Sequence, residues 1–162
     1  HMDKPMVGLK ALRDLLKSSG LMEIGLYSEL ARSTITKIKE KITLPKERIS
    51  INEIRKFRGS LMDSTNKDYQ QLTNISDFYS MSEFRDLLFH VMEHRFNLLK
   101  IRDNLDKLGL KFCGFKNRNI ILNFKKFYGE GSDIYDLALW NEFEKRNPFI
   151  FLEMYQFWCQ RI

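Results

Sequence analysis

The stretch "SSGLMEIGLYSELARSTI", residues 18–35, runs from a Ser-Ser-Gly turn into an apolar segment and stops at Tyr27-Ser28-Glu29. Leu21 to Tyr27 is short, mixes Leu, Met and Ile with Glu23, and follows a glycine turn, so it reads as a β-strand. Its reading decides the fold, because Pro5 starts a helix in front of it and Leu9, Leu12, Leu15 and Leu16 recur at helical spacing over 5–17. A helix, a turn and a strand in that order point to a helix-rich α/β architecture.

Working outward, the pattern from Glu29 to Ile42 is helical and Pro45 breaks it. Ser50-Ile51-Asn52-Glu53 is a capping box that opens a helix fading near Gly59 or Asp63. The polar run from Asp63 to Asp77 predicts a mobile connection. A second box, Ser80-Met81-Ser82-Glu83, precedes a helical face of Phe84, Leu87, Leu88 and Val91. Asn97 caps a helix striped by Leu98, Ile101, Leu105 and Leu108, Gly109 ends it, and Leu110–Phe115 is a strand. Ile120, Ile121, Phe124 and Tyr128 predict a helix to Gly129, followed by helices over 134–146 and 148–160, the last begun by Pro148. The spacing thus predicts about seven helices around two or three short strands, within one domain of 162 residues.

The 43% hydrophobic and 13% aromatic content is that of a globular chain, and no apolar run reaches the roughly 18 residues needed to span a bilayer. Lys4, Lys10, Arg13 and Lys17 interrupt any signal-peptide core, which predicts a cytoplasmic protein without membrane partners; His1-Met2 reads as a cloning scar. Cys113 and Cys159 lack metal-ligand spacing and read as small apolar residues. The net charge of +6 raises nucleic acid as a partner, but Glu40, Glu47 and Glu53 interrupt the basic run from Lys37 to Arg58, and that reading ranks last.

Five blocks carry a family resemblance: "LLKSSGLMEIGLYSELAR", "DFYSMSEFRDLLFHVMEHRF", "LGLKFCGF", "DLALWNEFEKRNP" and "MYQFWCQ". In this order they resemble the C-terminal part of a class I S-adenosylmethionine-dependent methyltransferase, of the bacterial type often linked to tetratricopeptide repeats. Family members usually have Pro-Gly-Gly where this chain has Ser18-Ser19-Gly20. The resemblance implies a partial sheet of that fold, with residues 1–35 ending the sheet domain and 36–162 forming a substrate or regulatory region. It implies S-adenosylmethionine for a full-length member, while this sequence has no Gly-x-Gly turn after a strand and is expected not to bind that cofactor alone. "GEGSD", residues 129–133, follows a helical stripe and reads as a turn.

His90, Glu93, His94 and Arg95 are the densest set of ionisable groups. On a continuous helix His90 and His94 would share one face, but "HVMEH" is not a zincin motif, no third ligand is evident, and no metal is expected. Glu93 and Arg95 pairing around a helix end is the first reading, and substrate-side residues are the second. Tyr27 and Ser28, at the carboxyl end of the strand, would face a ligand crevice if the sheet were complete; otherwise Tyr27 packs its ring and keeps its hydroxyl wet. Trp140, Phe143, Phe149, Phe151, Tyr155, Phe157 and Trp158 read as helical core or as a partner surface. The function expected is a substrate-binding or regulatory segment, not catalytic alone, whose partner is the missing methyltransferase half or a second copy. A stand-alone helical interaction module is the alternative.

Overall fold

The computed structural model describes residues 2–42, 49–90 and 92–162, so Pro45, Val91 and His1 lie outside the described residues. Among those described, eight α-helices and four strands form an α/β fold, and no helix is long and apolar enough to cross a membrane. The chain divides into two compact units, His1–Ala31 with His94–Ile162, and Arg32–Glu93.

The first unit holds α1 (Pro5–Leu15), β1 (Leu21–Ser28), β2 (Arg95–Phe96), α6 (Leu98–Lys107), β3 (Leu110–Phe115), α7 (Arg118–Tyr128), α8 (Leu137–Arg146) and β4 (Tyr155–Arg161). Its mixed sheet has the order β2-β1-β4-β3. β1 runs parallel to β2 through Tyr27 opposite Arg95 and Ser28 opposite Phe96, and antiparallel to β4 from Leu21 opposite Gln160 to Leu26 opposite Tyr155. Ile24, Phe112, Tyr155, Phe157 and Cys159 are buried in one core with Leu98, Ile101, Leu105, Phe124, Trp140 and Phe143 from the helices. Phe124 stacks on Trp140 with ring centroids 3.9 Å apart, and Phe115 meets the same indole edge-on at 4.8 Å. Asn97, Asn117 and Asp136 each cap the helix that follows, and Gly109 takes φ +61 at the end of α6.

The last strand corrects the helix expected over 148–160. The chain turns over 147–153 and then extends as β4. Tyr155, Phe157 and Cys159 are buried while Gln156, Trp158 and Gln160 are not, so a period of two decides over the aromatic spacing. Trp158 belongs to the other face of the sheet and is 40% exposed.

The second unit contains α2 (Ser33–Lys41), α3 (Ile51–Met62), α4 (Lys67–Leu72) and α5 (Met81–Phe89). α2 begins later than the pattern from Glu29 suggests, because the N–H of Glu29 is committed to the Phe96 carbonyl (2.8 Å) and that of Ala31 to Ser28 Oγ (3.0 Å). Ser50 and Glu53 form the expected reciprocal capping box, whereas at Ser80 only the hydroxyl half is made, accepting from the Glu83 N–H. The polar run over 63–77, expected as a mobile connection, carries regular structure. It forms α4, capped by Asn66, and a 3-10 turn at Ser76–Phe78, and it buries Leu72, Ile75 and Phe78. Three apolar side chains within a polar composition suffice to anchor it.

Candidate functional site

The carboxyl end of β1 is built on a buried polar cluster. Ser28 is 1% exposed and donates its hydroxyl to Glu144 Oε1 at 2.5 Å, while its Oγ accepts the Ala31 N–H. Tyr155 donates to the same carboxylate, at 2.8 Å from Oε1 and 2.7 Å from Oε2. One carboxylate therefore ties β1, α8 and β4 together. Glu144 is 2% exposed. Burial pushes its carboxyl above the ordinary glutamate range, and the bonds from Ser28 and Tyr155 offset part of that. Burial, reinforced by the adjacent Glu144 charge, pushes the Tyr155 hydroxyl up as well, so the phenol stays a donor at neutral pH.

This chemistry positions and does not react. With all three side chains enclosed, the cluster fixes the backbone from Ser28 to Ala31, and Tyr27 next to it is held at a set angle on the strand's other face. Tyr27 is half-buried and lies opposite the exposed Arg95 across the parallel ladder. In open α/β sheets ligands bind beyond the carboxyl ends of the strands, and here that end presents a phenol and a guanidinium on a rigid support.

The remaining candidates from the sequence do not converge. α5 ends at Phe89, so no continuous helix carries His90 and His94. His90 Nδ1 accepts the Met92 N–H (3.2 Å), and His94 Nε2 donates to the Met2 carbonyl (2.7 Å). Glu93 meets Lys39 at 3.4 Å and Arg32 at 3.8 Å within the second unit, an enclosed charge cluster. Among the described residues no group of three His, Cys, Asp or Glu side chains is arranged to hold a metal ion.

Sequence reasoning missed Glu144 and treated Tyr155 only as an aromatic. The signal was present: Leu137, Trp140, Asn141 and Glu144 follow the i, i+3, i+4, i+7 rule of an apolar helix face, and all are buried. A glutamate on such a face is a buried carboxylate that needs donors from elsewhere in the fold.

No protein-family model matches the chain, and no curated protein matches it.

Proposed function

We propose that this chain is the C-terminal substrate-binding or regulatory segment of a class I S-adenosylmethionine-dependent methyltransferase and acts on a ligand at the carboxyl end of β1. The observation that carries the reading is the sheet. β1 has a parallel neighbour on one side and an antiparallel one on the other, an arrangement in which a doubly-wound parallel sheet finishes on antiparallel strands. A second support lies in the turn before β1. Ser19 takes φ +62, a conformation glycine adopts without cost, at the position where the family has glycine.

The described residues do not fit the cofactor. The strand-to-helix connections are Glu29-Leu30-Ala31-Arg32, Asn97 and Lys116-Asn117, none of which has a glycine to let a backbone approach a cofactor closely. We therefore assign no step to S-adenosylmethionine within this chain. Tyr27 and Arg95 are the substrate-side residues of the proposal, and Ser28, Glu144 and Tyr155 position them.

Calorimetric titration of the chain with S-adenosylmethionine is expected to give no binding heat. The coding sequence upstream is expected to specify a strand, a Gly-rich turn and a helix, and that segment purified with this chain is expected to bind the cofactor. Micromolar binding by this chain alone, or an upstream region without such a unit, would overturn the assignment. A second reading, a stand-alone helical interaction module, is favoured by one observation, the exposure of Val7, Leu12 and Leu15 on α1.

A further inference from the structure

Asn123, Lys126 and Phe127 recur on α7 at the three- and four-residue spacing of one helical face, and on α8 Phe143 is followed one turn later by Asn147. Together with Ile150 these residues line an open cavity of about 330 Å³. Its deepest residue is Phe143, 2% exposed, and its outer wall is Phe127, 47% exposed, which meets Phe143 edge-on with ring centroids 5.6 Å apart.

The polar lining consists of two amides and one cation, with no carboxylate. Asn147 Nδ2 donates to the Phe143 carbonyl (2.9 Å), which leaves its Oδ1 as an acceptor. Among the described residues the Asn123 amide and the Lys126 ammonium enter no hydrogen bond or ion pair, whereas Lys125 meets Glu130 at 3.1 Å and Lys145 meets Glu142 at 2.7 Å. The Arg146 guanidinium stands 5.5 Å over the Phe127 ring and brings a second cation to the outer wall. Glutamates interrupt the basic run over 37–58, but α7 carries Arg118, Lys125 and Lys126 and no acidic residue, so its field favours an anion.

We propose that this cavity binds a nucleotide, base and phosphate together. The rings of Phe127 and Phe143 offer the apolar surface on which a base packs. The two asparagines offer both donors and acceptors, the combination that a base edge presents. Lys126 and Arg146 take the phosphate. The volume lies at the lower end of the range for small-ligand cavities, about 300–1,000 Å³, and suits one nucleotide. An aromatic carboxylate would use the rings and the cations but leave the amides without a matching edge. The site shares no residue with the cluster at the end of β1. S-adenosylmethionine has a sulfonium where a nucleotide has its phosphate, and the cations here disfavour it.

The test follows chemical shifts residue by residue in the full chain during titration with AMP, adenosine, inorganic phosphate and a hexa-adenylate strand. AMP is expected to shift Asn123, Lys126, Phe127 and Asn147 first, and to bind at least about tenfold more tightly than adenosine or phosphate. Lys126→Gln, at an exposed position, is expected to weaken AMP by about tenfold and leave adenosine unchanged. Phe127→Leu, which keeps an apolar side chain, is expected to weaken AMP and adenosine alike, with thermal melts confirming that both variants are folded. A hexamer no tighter than AMP identifies the ligand as a free nucleotide, and a gain of about tenfold that falls with salt identifies a strand. No shift at about 10 mM AMP, equal affinity for AMP and phosphate, shifts away from α7 and α8, or AMP binding unchanged in both folded variants would each overturn the proposal. S-adenosylmethionine is not among the probes, so the outcome is separate from that of the methyltransferase assignment.

Discussion

Replacing Glu144 with Gln removes a buried charge while keeping the shape and an acceptor for the hydroxyls around it. In the wild type, Ser28 and Tyr155 donate to the carboxylate, no cation among the described residues is bonded to it, and its pKa is raised by burial. The sign follows from linkage. A carboxyl whose folded pKa lies above its unfolded one holds its proton more tightly in the fold, so its contribution is complete below the unfolded value near 4.5 and is lost as pH rises through the folded value. For one proton the slope cannot exceed about 1.4 kcal/mol per pH unit. Wild-type stability measured against Glu144→Gln is therefore expected to fall as pH rises above about 4.5 and to level off only once the pH has passed the raised folded value. At neutral pH the Gln variant is expected within about 1 kcal/mol of wild type or above it, since the amide can accept one bond and donate another. Glu144→Ala differs, because it strands two buried hydroxyl donors at about 1–3 kcal/mol each, a loss of about 2–6 kcal/mol. Urea unfolding of the three proteins from pH 4 to 8 makes the comparison. A wild-type advantage over Gln that grows with pH would mean that the fold stabilises the Glu144 anion, and burial would then not be the dominant influence on this carboxylate.

Leu105, 2% exposed in the core, is expected to cost about 2–5 kcal/mol on replacement by Ala, and the half-buried Leu108 less, by the same denaturation assay. Gly109 sits at φ +61 after α6, so Gly109→Ala is expected to lower stability by about 1–2 kcal/mol. Ser19 has φ +62 in the turn before β1, and Ser19→Gly is expected to raise the melting temperature, the relief of about 1–2 kcal/mol of strain exceeding the entropy glycine adds to the unfolded chain.

The elements that local chemistry specifies were readable in the sequence. Pro5, the Gly turn, Asn97 and Gly109 each satisfy or release a particular backbone group, and the helix or strand they delimit follows wherever the rest of the chain lies. The segment from 148 to 161 behaves otherwise. Its aromatic side chains are dense enough to fit a helical period as well as a strand period, and the choice between them is made by β1 and β3, which offer β4 a hydrogen-bonding slot between them. That information is non-local and cannot be read within a window of sequence.

The candidate site was half readable for the same reason. Tyr27 and Ser28 follow from the strand end, whereas the carboxylate holding Ser28 arrives from 116 residues away in the chain. The dense "HVMEHRF" run drew attention because its charges are adjacent in sequence, yet α5 stops before it and β2 begins within it, so its side chains go to different tasks. Of that run Arg95 and Phe96 reach the end of β1, because β2 sets them opposite Tyr27 and Ser28. A glutamate on an apolar helix face implies a buried carboxylate, and a buried carboxylate without a cation implies hydroxyl or amide donors from other elements. At Glu144 both implications hold, and the donor strands they call for, β1 and β4, are the two that frame the proposed ligand end of the sheet.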